Sequence, residues 1–581
     1  MSDDSFTFPT DPTSAESQFT QHDLQLLAQS SPESALRVVA LVDYDSFYAQ
    51  YESVRLGLLP SKPLAVRQWN AIIALNYPAK DRGLKRTISV EEARRLCPDI
   101  VLQHVPTWRE GDDCWRYRAD VLDNLTTDKA SLDPYRDMSR RTMKLVRRIL
   151  PATPAPTIER AGVDEFYVDL SAQVYQILTE RFSALESLSN NPEEPLPLPP
   201  VDTSLNWKPD KVMNLPNTRD PEYVLDWDDV ALSIGASIIR NIRKEIKAEL
   251  ELTTSAGISH NKMLAKVASR MNKPFGQTII RRKSISTIMP TLKVTSLSGL
   301  ARQLGQRVVK TFGSDGIRDL LQVSLAEMRS ELGAQDGQWV YRAIRGDEIG
   351  LVRPRSEVQS LLAAKTFVPK AENLQQASKW LRIFAADLES RLRDLDLDSE
   401  VPRRPRTIAV QHHIRGRFGP TRSKQAPIPP YVEINRDTIF NMLHGLLKDL
   451  TDHGESWPCL GISVSMSNLE SGVPTSDPGQ RITSFFTSDS SASPLKRSRV
   501  GDMTSMHGDS KRVHKANDPA EALASGRLAT ASTSPRAVPS VSRDEQGQQY
   551  LCPKCDESVQ PEDVLEHLDW HVAMEIQNQE G

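Results

Sequence analysis

Cysteine is scarce, 5 in 581 residues. That is too few for a disulfide scaffold and fits a reducing compartment. No run of about 18 apolar residues occurs, which excludes a membrane-spanning helix. The N-terminus, MSDDSFTFPTDPTSAESQ, is acidic and polar and lacks the layout of a secretory signal. Internal repeats are absent. So is a strong charge of either sign: 72 Lys and Arg nearly balance 76 Asp and Glu, for a net charge of -4. That average hides a segregation of charge along the chain. With 39% hydrophobic and 25% charged residues, the composition is that of a soluble chain with a large globular part. Its length predicts roughly four units at about 150 residues each.

Residues 1–35 read as a flexible leader. Order is expected from Val38-Val39-Ala40-Leu41-Val42, a short apolar run typical of a buried strand. Helical and strand patterns then alternate to about residue 470. A proline-rich stretch from Asn191 to Pro221 cannot be helical and reads as a surface loop, within an insertion spanning 183–221. After it, Val230, Ile234, Ile238, Ile242 and Ile246 repeat every four residues and predict a helix. From Ser471 to Gly547 the composition turns to Ser, Thr, Pro, Gly and Asp, the mark of a disordered linker. Pattern returns at Tyr550.

Asp43 ends the first apolar strand, where a carboxylate projects into a cleft, and Asp45 follows on the same face. Asp164 and Glu165 lie in a second apolar stretch that reads as part of a hairpin. Clustered carboxylates repel one another unless a cation neutralises them, and all-oxygen donors favour Mg²⁺. Two such ions can activate an attacking hydroxyl and stabilise a leaving phosphate. Spacing alone leaves a second reading open, in which these are solvated turn carboxylates.

Leu41-Val-Asp-Tyr-Asp-Ser-Phe-Tyr-Ala-Gln-Tyr-Glu52 resembles the first catalytic motif of Y-family, translesion DNA polymerases. Glu159-Arg-Ala-Gly-Val-Asp-Glu-Phe-Tyr-Val-Asp-Leu170 resembles the second. Ser255-Ala-Gly-Ile-Ser-His-Asn-Lys-Met-Leu-Ala-Lys266, with Met271-Asn-Lys-Pro274, resembles the third. The motifs occur in family order, and the resemblance covers residues 37 to 470. Gln68-Trp69, Ile72–Tyr77 and Gly83–Thr87 are most similar to one fungal branch of that family. The resemblance implies an α/β right-hand polymerase with an α+β palm. The palm would take 36–46 (first strand) and 119–280, the fingers 47–118, the thumb 281–350 and the little finger 351–470.

By the family's pattern, Asp43, Asp164, Glu165 and the carbonyl of Tyr44 hold two Mg²⁺. Tyr48 matches the steric gate that excludes a 2′-hydroxyl; the alternative is a core aromatic beside Phe47. Tyr77, Lys80 and Lys273 match the triphosphate-binding positions. Lysine at 80 replaces the usual Arg and loses its bidentate fork. Gln68 and Arg86 match residues that meet the templating and incoming bases. Gly162 stands where Ser is common. Asp45 matches no ligand and reads as a local hydrogen-bonding group. The implied activity is low-fidelity synthesis past damaged bases such as UV photoproducts, from primer–template DNA and deoxynucleoside triphosphates. A catalytically dead scaffold is the rival reading, opposed by the intact Asp43, Asp164, Glu165 and Lys273.

Residues 402–424 contain no acid but seven bases, Arg403, Arg404, Arg406, Arg415, Arg417, Arg422 and Lys424. Ile408, Val410, His412 and Ile414 alternate there with polar neighbours, predicting a basic strand suited to phosphate contacts. Ser296–Gly305 resembles the thumb's helix–hairpin–helix, whose backbone N–H groups would meet phosphate.

At the C-terminus, Cys552, Cys555, His567 and His571 have zinc-ligand spacing, and the two His share one helix face. One structural Zn²⁺ in a ββα-like finger is expected. Segment 548–581 holds eight acids and one lysine, leaving a net charge of -7, which disfavours DNA and fits a protein partner. It resembles the ubiquitin-binding zinc finger, with Asp569, Val572 and Ala573 on the contact face. In the linker, Ile482, Phe485 and Phe486 resemble a sliding-clamp-binding peptide, although Gly479 stands where Gln is usual. Lys496-Arg-Ser-Arg499 with Lys511-Arg512 resemble a bipartite nuclear signal. The expected state is a nuclear monomer recruited by ubiquitin or a monoubiquitinated clamp, without a membrane.

Overall fold

The computed structural model describes residues 16–86, 88–185, 191–213, 225–354, 358–397, 402–413, 421–452, 456–471, 550–551 and 558–559. A mixed six-stranded sheet forms the centre. Its order is Lys211–Val212, Gln277–Ile279, Thr254–Ser259, Val39–Tyr44, Glu165–Asp169, Thr157–Arg160. Its strand Val39–Tyr44 is apolar as far as Val42 because both its faces are covered there, and Asp43 stands near its end. Ala40 and Val42 join a core with Ile239 and Ile242 of the helix Trp227–Leu250. Val39 and Leu41 pack on the other face with Tyr167 and with Ala265 of the helix Lys262–Met271. Within Trp227–Leu250, Ile239 is fully buried while Ile238 is only half-buried. A strict repeat of four drifts off a 3.6-residue turn, so the buried stripe passes to the next residue.

Three further bodies surround this sheet. A three-stranded sheet, Ala71–Leu75, Leu64–Gln68, Val101–His104, has its own small core. Short helices from Ile285–Ile288 to Ala334–Ala343 enclose another. The last is a four-stranded antiparallel sheet, Ser360–Ala371, Cys459–Ser471, Arg403–His413, Thr421–Pro427. The helices Leu374–Asp396 and Arg436–Thr451 pack against it. Trp108, distant in sequence, is buried in that C-terminal core.

Two expectations need correction. The leader is not flexible from 16 onward. Glu16–Thr20 is a strand and Gln21–Ala28 a helix with a capping box at Thr20. Phe19, Leu24 and Leu27 enter the main core. The proline-rich insertion is likewise no plain surface loop. Pro195–Pro197 pairs with Glu16–Thr20, Leu196 is fully buried, and Lys211–Val212 extends the central sheet. Proline is tolerated at such a sheet edge, where its missing N–H need not pair. Ser17 Oγ donates to Asp226 Oδ1 at 2.6 Å, and Trp227 Nε1 donates to Pro197 O at 2.6 Å. Leader and insertion thus order each other.

Candidate active site

Register brings the first two motifs together. Asp43 pairs with Glu165 across the strands Val39–Tyr44 and Glu165–Asp169, and Tyr44 N donates to Asp164 O at 2.9 Å. Thr157–Arg160 and Glu165–Asp169 form the expected hairpin. The third motif arrives on the opposite flank, with Ser255 opposite Asp43. A Cβ on Gly257 would lie 2.0 Å from Ala265 O, so only glycine lets the helix Lys262–Met271 sit this close to the strand.

That helix carries two lysines one turn apart. Lys262 Nζ reaches Glu159 at 2.7 Å, and Lys266 Nζ reaches Glu165 Oε1 at 2.6 Å. Lys273 Nζ lies 2.5 Å from Asp43 Oδ1. Burial pushes the Asp43 carboxyl up to about 7; Lys273 opposes this, while Asp164 and Glu165 add to it. Burial, then the charge of Glu165, also raises Asp164. Among the described residues no three acidic, histidine or cysteine side chains converge, as they stand, on one ion-sized point. Ammonium groups neutralise Asp43 and Glu165 instead. The donor chemistry nevertheless fits divalent cations: three hard oxygen ligands, mutually repelling and withdrawn from water. At Gly162 a Cβ would stand 3.2 Å from Asp164 Oδ1, so the missing side chain keeps that carboxylate uncrowded.

Asp45 is a hydrogen-bonding group, but its side-chain partners come from the third motif and the residue that follows it rather than from its own neighbourhood. Its Oδ1 accepts from Ser255 Oγ at 2.6 Å and its Oδ2 from Phe275 N at 2.9 Å. It thereby fixes the backbone two residues after Lys273.

Tyr77, Lys80 and Arg86 gather beside this end of the sheet. Lys80 Nζ donates to Ser46 Oγ at 2.7 Å and sits 4.5 Å from the centre of the Tyr77 ring. Burial, then the charges of Arg86 and Lys273, lowers the Lys80 ammonium. Burial pushes the Tyr77 phenol up to about 12, with Asp45 adding to it. Three cations therefore share one small region. Gln68 is buried, and its Oε1 has no hydrogen-bond partner. A buried carbonyl left so carries a desolvation penalty that a ligand can relieve. Tyr48 is buried and stacked on Tyr135, centroids 4.0 Å apart.

Sequence reasoning missed Lys266, Ser46 and Tyr135. Lys266 had a readable signal, standing four residues after Lys262 on one helix face. Ser46 caps a helix in the left-handed conformation, φ 52°, which no local pattern announces.

On the C-terminal sheet Ile408, Val410 and His412 do face inward, fully buried. The basic residues are less free than their number implied. Arg406 pairs with Glu470 at 2.7 Å and Lys424 with Asp449 at 2.6 Å, while Arg404 donates to Pro429 O at 2.7 Å. Ile414, Arg415 and Arg417 lie outside the described residues. So do the clamp-peptide residues Ile482, Phe485 and Phe486 and the basic signals. The zinc candidates Cys552, Cys555, His567 and His571, and Asp569, Val572 and Ala573, lie outside as well. Of the finger only Tyr550–Leu551 paired antiparallel with Ser558–Val559 is described. The pair brackets both cysteines. No helix among the described residues is long and apolar enough to cross a membrane.

Residues 42–270 match the model of the impB/mucB/samB family, and 358–481 match that family's C-terminal domain. Residues 548–579 match the Ubiquitin-Binding Zinc Finger. The chain is 30% identical to the N-acetyltransferase eso1 of Schizosaccharomyces pombe over 97% of its own length and 65% of that protein. It is 28% identical to the DNA polymerase eta of Saccharomyces cerevisiae, over 78% of this chain and 80% of the relative. With the DNA polymerase eta of Arabidopsis thaliana it shares 30%, over 75% and 64%. The chain thus spans just under two thirds of the fission yeast and plant relatives.

Proposed function

Since the chain belongs to the Y family of DNA polymerases, we propose that it is a template-directed DNA polymerase of the eta type. It would extend primers past damaged bases such as UV photoproducts. The observation that carries this reading is the convergence of Asp43, Glu165 and Lys273 from three separate motifs on one end of the central sheet. The primer 3′-hydroxyl attacks the α-phosphate of a deoxynucleoside triphosphate, and pyrophosphate leaves. Asp43, Asp164, Glu165 and the Tyr44 carbonyl would hold two Mg²⁺, which when bound supply the charge that activates the hydroxyl and steadies the leaving group. Lys273 exchanges Asp43 for a phosphate oxygen as the triphosphate enters. Lys80 and Tyr77 complete the phosphate cradle, Arg86 meets the base pair, and the low dielectric of a half-buried site strengthens each charge. Tyr48, backed by Tyr135, closes the space a 2′-hydroxyl would need. Gln68 offers its unsatisfied oxygen toward the base pair.

In this reading the central sheet is the palm, the three-stranded body the fingers, the helical body the thumb and the C-terminal sheet the little finger. One Zn²⁺ held by Cys552, Cys555, His567 and His571 would order the C-terminal finger. That finger binds ubiquitin on a clamp that Ile482, Phe485 and Phe486 also engage, in the nucleus, with the polymerase a monomer. The test is primer extension by the full chain with Mg²⁺, on an intact template and on one carrying a thymine dimer. Extension past the dimer is expected. Tight primer–template binding with no nucleotide addition on either template would instead favour the dead scaffold.

A further inference from the structure

Trp69 is a bulky residue at φ 57°, in the tight connection between the strands Leu64–Gln68 and Ala71–Leu75. Such a conformation is strained for a large side chain and persists only where its surroundings impose it. Three groups do so. Trp69 N donates to His104 Nε2 at 2.8 Å. Arg67 Nε donates to the Trp69 carbonyl. The ring itself, 3% exposed, lies 4.5 Å from the ammonium of Lys365. The first two anchors belong to the same small sheet. Lys365 does not: it stands on Ser360–Ala371 of the C-terminal sheet, is buried, and also lies 5.6 Å from the Trp380 ring.

We propose that Lys365 is a positioning residue, whose ammonium packed on the Trp69 ring fixes the hairpin tip and, through it, the place of Gln68. The C-terminal sheet then sets the room available to the templating base. The chemistry is a cation held against an indole face in a desolvated setting, where such contacts are strongest. The neighbouring anchor is consistent. Burial pushes the His104 imidazole down to about 4, so it stays neutral. Its Nε2 can then accept from Trp69 N while Nδ1, 2.6 Å from the Val105 carbonyl, donates. Gln68 and Trp69 are adjacent, so a shift of the ring moves the amide directly.

This inference rests on the proposed role of Gln68, and the test separates the two. Incorporation opposite a thymine dimer is measured for wild type, Lys365→Met, Gln68→Ala and the double variant. Hydrogen exchange of residues 64–75 is followed in the full chain without DNA. Lys365→Met should raise KM for the incoming nucleotide about 3- to 30-fold, the range a buried cation–aromatic contact can supply, with kcat within about twofold. It should also speed exchange at the hairpin tip, and Lys365→Arg should restore most of both. In the Gln68→Ala background the same change should add under about twofold. Equal effects in both backgrounds would overturn the proposal and make Lys365 an independent DNA contact, as would unchanged exchange at the tip. If Gln68→Ala alone leaves KM unchanged, the role of Gln68 falls, and with it the inference; faster exchange in Lys365→Met would still mark the contact as structural.

Discussion

Lys273 Nζ lies 2.5 Å from Asp43 Oδ1, so the third motif supplies the counter-charge for the first. Burial and the charges of Asp164 and Glu165 push the Asp43 carboxyl up to about 7, and Lys273 opposes them. One lysine thus serves a carboxylate here and a phosphate in the proposed reaction.

Asp43→Ala should lower nucleotide addition by about 10³-fold or more, with primer–template affinity within a few-fold. The carboxylate acts in the chemistry, whereas affinity comes from distributed basic contacts. Lys273→Met should lower kcat/KM by about 10²-fold, in the range seen when one transition-state charge partner is lost. Single-turnover incorporation and a DNA-binding titration check both. Normal extension by Asp43→Ala would remove the metal assignment.

Tyr48→Ala should admit ribonucleotides. If the ring excludes the 2′-hydroxyl, the ratio of kcat/KM for ribo- over deoxynucleotides rises sharply. A residue that only packs on Tyr135 would lower both values together and leave the ratio as in wild type.

Leu27→Ala should destabilise the protein by about 2–5 kcal/mol, the usual range for a fully buried leucine. A flexible leader would give no change. Leu27 is fully buried in the main core, and a shift of the denaturant midpoint at unchanged slope is the measurement.

The buried histidines should withdraw stability as pH falls from about 6.5 to 4, while Asp43 and Asp228, whose carboxyls burial pushes up to about 7, act in the opposite sense. Burial holds His104 and His412 down to about 4 and His260 to about 3. At these three sites the unfolded chain binds more protons than the native one over that window, so their contribution is full above 6.5 and lost as pH falls. Each such histidine contributes a slope of about 1.4 kcal/mol per pH unit. His412 has neither ring nitrogen hydrogen-bonded, so His412→Leu should flatten the slope at little cost at pH 7. Denaturation series at pH 7 and pH 5 decide it; an unaltered slope would show that His412 does not stay neutral.

Within residues 548–581, Asp569 and His571 point about 200° apart if helical. His571→Ala should lose Zn²⁺ and unfold the finger, because metal binding supplies its folding energy. Asp569→Ala should keep Zn²⁺ and lose most ubiquitin affinity. Zinc content and a ubiquitin titration distinguish them, and wild-type affinity in Asp569→Ala would move the contact face elsewhere.

The sequence alone carried the central strand, the hairpin bearing Asp164 and Glu165, the long helix after the insertion and the identity of the motif residues. Each is written in local periodicity or in contiguous residue types, because secondary structure and short motifs depend on near neighbours. Only the tertiary structure decided that Glu16–Thr20 is a strand, since its partner Pro195–Pro197 lies far along the chain and neither segment has a pattern of its own. The same holds for Lys273 on Asp43, Lys266 on Glu165 and Lys365 on Trp69. A lysine's partner is fixed by where two distant backbones bring their side chains, and its desolvation by what closes over both. Neither quantity is local, so composition and spacing could name these lysines as cations but not say which charge or ring each one serves.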